Sequence, residues 1–195
     1  EAIERQFASA PADVRERIVP LVRASTLFLA MIEDSAKTPL SRPVMPFVIQ
    51  ALAIDSPTSL QYVVPSNADD WGVDFETLFE VARLNAARYF GSADAFEIYD
   101  AQAPYPLWHV SVDDDYQPSR LLLPGWLAAF RGKVVGRPVA IMPERATLVV
   151  GGDGDERCLK RLIEMADREF AASRRSISPA LYTVDENGAV VPLVL

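Results

Sequence analysis

The sequence predicts an α+β fold with a largely antiparallel mixed sheet, and three observations support this class. Strand–turn–strand–helix units occur at 47–90 and again at 138–173. Near the end of the chain, Asn187-Gly188 lies between two apolar runs, which is a strong hairpin signal. Strands joined mostly by turns, with helices inserted between pairs, are typical of α+β domains.

The unit at 138–173 shows the pattern most clearly. Its β-rich runs, 139–141 and 147–150, are separated by Pro143-Glu144-Arg145 as a turn would separate them. A Gly-Gly pair is expected to end the second strand, and Asp153 is expected to open a helix through a capping box with Glu156. Apolar residues at spacings of three and four then predict a long surface helix that packs on the sheet.

The beginning of the chain predicts a helical arm. Residues 12–32 carry a broad apolar face, although Pro20 lies in the middle and predicts a kink or a junction of two helices. This helix would cover the domain's own sheet or pair with a second copy in a homodimer. Three prolines within 39–46 predict a connector, which divides the chain into an N-terminal helical arm (1–46) and an α+β core domain (47–195).

The first unit predicts a hairpin, a loop and a helix. Two β-rich runs, 47–54 and 60–64, flank a turn-forming segment. Residues 67–72 are polar and are expected to form a loop. Asp74 then predicts the N-cap of a helix that ends before Gly91 and turns its apolar side chains inward.

The rest of the chain predicts shorter elements. Short strands are expected at 95–99 and 107–112, and a helical piece at 119–130 is interrupted by Pro124-Gly125. The closing hairpin ends with a run that contains Pro192. Proline cannot donate to a β-ladder, so this last strand is expected at the edge of the sheet.

Composition excludes several classes of function. The net charge is −8 and the isoelectric point is near 4.7, which disfavours nucleic acid as a partner. A single cysteine and a single histidine exclude an internal disulfide and a Cys/His zinc site within one chain. No apolar run reaches the length of a membrane span. We therefore expect a cytoplasmic protein with no cofactor and no membrane partner.

The candidate chemical groups are few. His109 would have to serve any catalytic triad, but the sequence contains no G-x-S-x-G motif, so a structural role is expected. Cys158 is expected to be a small buried hydrophobe. The run Asp113-Asp114-Asp115 offers hard oxygen ligands for Mg²⁺ or Ca²⁺, with Asp113 and Asp115 as the candidate ligands. Consecutive aspartates cannot all face one ion, which disfavours a metal site. A metal-dependent hydrolase is therefore the alternative function and not the main expectation.

Arg145 is the main candidate for ligand or partner binding. It lies in a turn position where Gly, Asn or Asp would be ordinary. Its guanidinium is expected either to bind a carboxylate of a partner or to form an internal pair with an aspartate of 113–115 or with Glu97.

Two segments resemble a known family. They are LAIDSPTSLQYVVPSNADDWGVDFETLFEVARLNAARYF at 52–90 and RPVAIMPERATLVVGG at 137–152. Together they resemble the YtpQ-like family of bacterial proteins, a domain of unknown function, over roughly residues 48–185. The motifs are Ala82-Arg83-Leu84-Asn85 and Pro143-Glu144-Arg145. The resemblance implies no activity and no catalytic residue.

The functional expectation is a non-enzymatic binding or regulatory module that recognises a protein or peptide partner through its sheet or its N-terminal helix. The candidate binding residues are Arg145, Glu144, Asn85 and Trp71.

Overall fold

The computed structural model describes residues 12–29, 37–90, 96–100, 102–112 and 114–195. The chain divides into two compact units, Glu1–Tyr89 and Phe90–Leu195. Each unit contains helices and an antiparallel sheet, which confirms the predicted α+β class. The predicted boundary between residues 46 and 47 does not coincide with this division, because it lies in a tight turn between two paired strands.

The first unit contains a four-stranded sheet in the order β1-β3-β2, with β4 also paired to β3. All of these pairings are antiparallel. The predicted hairpin that flanks residues 55–59 is confirmed as β3 and β4. The strands are β1 (Ile18–Ala24), β2 (Ser41–Met45), β3 (Val48–Ser56) and β4 (Ser59–Tyr62).

The predicted helix over 12–32 is wrong. Helix α1 covers only Ala12–Arg17, and β1 follows at once and pairs with β3 along all seven of its residues. Continuous apolar runs of this length do not distinguish a strand from a buried helix by periodicity. Because β1 ends the strand order, Pro20 is tolerated there without a ladder N–H. The last residues of the predicted helix, 30–32, lie outside the described residues.

The predicted loop at 67–72 is also wrong, since helix α2 covers Pro65–Trp71. Its first turn is capped by Asn67, whose Oδ1 accepts a hydrogen bond from the Val64 N–H at 3.0 Å. Gly72 adopts the left-handed conformation that ends the helix, with φ 64°. Ala68 and Trp71 are buried, so this polar-looking segment has an apolar face.

Helix α3 covers Phe75–Tyr89 and begins as predicted. The Thr77 N–H donates to Asp74 Oδ1 at 2.8 Å, which confirms the N-cap. Leu78 and its inward neighbours are buried, whereas Phe75 and Tyr89, which were expected to face inward, are partly exposed.

The turn between β2 and β3 places an aromatic residue under strain. Phe47 has φ 64°, in the region that favours glycine, and its side chain is 81% exposed. This turn therefore combines an unfavourable backbone conformation with an apolar ring that is exposed to solvent.

The second unit contains a six-stranded antiparallel sheet in the order β10-β9-β7-β8-β6-β5. Pro192 lies in β10 at one edge, which confirms the position predicted for that strand. The strands are β5 (Phe96–Ile98), β6 (Trp108–Val110), β7 (Pro138–Ile141), β8 (Val149–Gly152), β9 (Leu181–Val184) and β10 (Val190–Pro192).

Helix α4 (Glu156–Ala172) packs on one face of this sheet, as the apolar spacing predicted. Leu162, Met165 and Ala166 join the strand residues Val139 and Ile141 in one buried cluster. The main strand contacts of the helix are with β8 and β9, and β5 is not among them.

Aromatic residues pack on the other face, and the interrupted helical piece supplies two of them. It consists of two 3-10 helices, Gln117–Leu122 and Leu127–Phe130, separated at Pro124-Gly125 as predicted. The Phe130 ring packs edge to face against Phe96, with 5.1 Å between centroids.

The start of α4 corrects the predicted cap. The N-cap is Asp155, which accepts from the backbone N–H groups of Arg157 and Cys158. Asp153 instead accepts two hydrogen bonds from Arg137, both 2.7 Å long. The side chain of Arg157 also donates to Asp155, and this bond contributes most to lowering the pKa of that carboxyl to about 2.

The Gly-Gly pair forms the last two residues of β8, so the strand ends there as predicted. A Cβ on Gly152 would lie 2.1 Å from the Val135 carbonyl oxygen, so close backbone packing explains this glycine.

Candidate functional site

A cleft of about 300 Å³ lies in the second unit, where the sheet meets the C-terminal half of α4. Strands, helix α4 and the β7–β8 connection all contribute to it. The residues that line it include Tyr99, His109, Gln117, Thr147, Met165 and Glu169. Its volume is at the lower end of the range for small-ligand sites, which is roughly 300–1,000 Å³.

The strand register places His109 on the helix-covered face of the sheet. His109 lies opposite Glu97 on β5 and opposite Val149 on β8. Directly opposed residues share a face, and Val149 belongs to the core under α4. The Tyr99 ring packs edge to face against His109, with 5.5 Å between centroids.

Gln117 and Thr147 hold the cleft wall in place. Gln117 is buried, and its Oε1 accepts from the Leu148 N–H at 3.2 Å. The Thr147 hydroxyl donates to Glu144 Oε1 at 3.0 Å. Because these polar groups bind the surrounding chain, the connection between β7 and β8 is fixed before any ligand arrives.

Glu169 gives the cleft a negative charge. Its side chain is 26% exposed, and Oε1 accepts from Arg168 Nη2 at 3.3 Å. Among the described lining residues there is no lysine or arginine. The cleft therefore combines one carboxylate with an imidazole, a hydroxyl and aromatic, amide and apolar groups.

Arg145 forms the internal pair that the sequence offered as one of its two roles. Its Nε lies 3.3 Å from Asp115 Oδ1, and the two side chains are 29% and 45% exposed. Glu144 shapes the same turn, because its Oε1 also accepts from the Ala146 N–H at 2.9 Å. The structure thus places Glu144 and Arg145 beside the cleft, where Ala146 and Thr147 line it.

Asn85 and Trp71 lie in the first unit and serve its packing. Asn85 Nδ2 donates to the carbonyl oxygens of Arg15 and Ile18, at 2.8 and 2.9 Å. Trp71 is 8% exposed and belongs to a buried apolar cluster. Neither side chain is placed to contact a partner in this arrangement.

The aspartate run is engaged with arginines where it is described. Asp114 binds Arg120 through two hydrogen bonds, of 2.7 and 3.1 Å, and Asp115 pairs with Arg145. Asp113 lies outside the described residues. Within the described ranges, no group of three or more His, Cys, Asp or Glu side chains could hold a metal ion.

Sequence reasoning missed the importance of Arg120, Gln117 and Glu169. Arg120 is 1% exposed, and its position directly before three leucines was the available signal. Glu169 showed no such signal, since it lies on the polar-rich surface of an amphipathic helix.

Cys158 is a packing residue, as expected. It is 1% exposed, and its Sγ accepts from the Gly152 N–H at 3.5 Å. Burial raises the pKa of the Cys158 thiol, which disfavours the reactive thiolate.

Comparisons with known proteins give no assignment. No protein-family model matches the chain, and no curated protein and no solved structure matches it significantly. None of the helices in the described parts of the chain is long and apolar enough to cross a membrane.

Proposed function

We propose that this chain is a non-enzymatic binding module that recognises an extended segment of a protein or peptide partner. The segment adds to the sheet along β5, and the cleft receives one of its side chains. One observation carries the proposal: the cleft opens beside an edge strand, because Tyr99 directly follows β5 and lines the cleft.

The hydrogen-bond pattern of β5 supports this mode of binding. β5 is the last strand in the sheet order, and among the described residues its ladder partner is β6. The Tyr99 N–H donates to the Leu107 carbonyl at 2.7 Å, so Tyr99 faces β6. Backbone groups alternate in direction along an antiparallel strand, and the N–H and C=O of Ile98 therefore point away from β6.

The polar groups of the cleft support recognition as the proposed function. The Thr147 hydroxyl is held by Glu144 within the turn. Cys158 is buried against Gly152. A hydroxyl bound to a carboxylate can act as a nucleophile, but Glu144 also accepts from the Ala146 N–H and is absent from the described lining, so we assign this pair to holding the turn.

A selection of peptide binders tests this function. Short random peptides displayed on phage would be selected on the full chain, and selected peptides retested by fluorescence anisotropy. Backbone NMR would then locate their contacts. We expect chemical-shift changes in β5 and in residues 146–149.

Two substitutions at one position provide the matched control. Ile98→Ala and Ile98→Pro both replace the isoleucine side chain with a smaller one, but only proline removes the outward N–H. We expect Ile98→Pro to weaken binding by about 1 kcal/mol more than Ile98→Ala, the net contribution of one backbone hydrogen bond. Equal binding by the two variants, with equal melting temperatures, would contradict strand addition at β5.

Three finer expectations stay predictions: the YtpQ-like family, a cytoplasmic location and a homodimer. A homodimer would need a surface other than the long N-terminal helix, which the structure replaces with β1.

A further inference from the structure

We propose that the cleft accepts a basic side chain, a lysine or an arginine of the bound segment. This inference rests on the binding function proposed above and names the chemistry that its pocket recognises.

The charge at the cleft favours a cation. Glu169 is the carboxylate among the described lining residues, which include no lysine or arginine, and its ion-pair partner Arg168 lies outside this lining. A guanidinium or ammonium group that reached Glu169 would form a charge-assisted hydrogen bond. An acidic side chain would instead meet a like charge.

Two neighbouring arginines, Arg168 and Arg145, each form an ion pair with a carboxylate of this chain. Arg168 contacts Glu169 at 3.3 Å, but its side chain is 56% exposed, and exposed pairs of this kind contribute little. A ligand cation can therefore replace it. Arg145 pairs with Asp115 and is absent from the lining.

The other lining residues suit the body of a basic side chain. Tyr99 is 41% exposed and presents an aromatic ring at the opening, where a cation can contact its face. Met165 and Leu148 line the interior and offer apolar contact for the methylene stem. The volume of about 300 Å³ suits one side chain rather than a large ligand.

The overall charge acts in the same direction. A chain with net charge −8 attracts basic segments and repels acidic ones during association. This long-range attraction weakens with salt, whereas the contact with Glu169 acts at close range.

Simple probes test the inference on the full chain. N-acetyl-arginine amide and N-acetyl-lysine amide would be titrated while backbone NMR follows residues 146–149. N-acetyl-norleucine amide and N-acetyl-glutamate amide serve as apolar and acidic controls. We expect saturable shifts with the two basic probes and at least about tenfold weaker effects with both controls.

Glu169→Gln removes the charge and keeps the shape. We expect it to weaken binding of the arginine probe about tenfold or more. Glu164→Gln on the exposed side of the same helix is the matched control and should bind as the unchanged protein does. Unaltered binding by a folded Glu169→Gln variant would overturn the inference.

The two proposals fail in different ways. Selected peptides that contact β5 but show no requirement for lysine or arginine would overturn the basic-side-chain inference and leave the binding function standing. Selected peptides that never perturb β5 or the cleft would overturn the binding function itself. Preferred binding of the glutamate probe would show a site for anions and overturn the inference directly.

Discussion

Asp114 and Asp115 are neighbours in the sequence, yet their arginine pairs differ in almost every physical respect. Asp114 binds Arg120, whose side chain is 1% exposed, through a two-bond fork. Asp115 contacts Arg145 once, at 3.3 Å, in a partly exposed turn. Both are Arg–Asp pairs, so their residue types do not distinguish them. Burial makes the first pair part of the folded interior, whereas the second is a surface contact.

The environment of Arg120 explains the difference. Its Nε also donates to the Phe90 carbonyl at 3.1 Å, and its guanidinium lies over the Phe90 ring. A cation that is 1% exposed depends on these fixed partners instead of water, so the loss of one partner leaves its charge uncompensated. Arg145 can regain water whenever its pair opens, and such pairs contribute about 0–1 kcal/mol.

The largest expected effect follows from removing one carboxylate. Asp114→Ala leaves Arg120 buried without its fork, and we expect a loss of about 3–5 kcal/mol in the free energy of unfolding. Asp115→Ala is the matched neighbour, with an expected loss below about 1 kcal/mol. Urea unfolding followed by circular dichroism measures both. Equal losses would show that burial does not distinguish the two pairs.

A smaller effect is expected when the charge is kept and the fork is removed. Arg120→Lys cannot make all three of the hydrogen bonds that Arg120 donates to Asp114 and Phe90, so we expect a loss of about 1–3 kcal/mol. Arg145→Lys keeps a single charge contact and should change stability by less than about 0.5 kcal/mol. Thermal unfolding compares them. A large loss in Arg145→Lys would mean that the turn depends on its guanidinium.

The sequence predicted what depends on local pattern. The helix after β8, the β3–β4 hairpin and the closing hairpin all follow from apolar spacing and turn residues. The N-terminal error has a physical reason: IVPLV at 18–22 is apolar at every position, so it lacks the alternation that would reveal a strand.

The candidate site could not be predicted in the same way, because it depends on contacts between distant segments. The cleft brings together Tyr99, His109, the β7–β8 connection and Glu169, which no spacing relates. Arg145 is the arginine that is unusual for a turn, but the arginine that the fold buries is Arg120. The sequence shows which residue types are present, and the tertiary fold determines which of them come into contact.

The smallest expected effect concerns metal ions and returns to the aspartate pair. A hydrolase that used Asp113 and Asp115 would bind Mg²⁺, Mn²⁺ or Ca²⁺, and binding to the folded chain must raise its melting temperature by mass action. We expect no rise, because Asp115 already pairs with Arg145 and Asp114 with Arg120, so an ion would have to displace a guanidinium. A thermal-shift series with each ion measures this, with Asp115→Ala as the matched variant. A rise in the unchanged protein that disappears in Asp115→Ala would contradict the expectation and restore the aspartate run as a metal site.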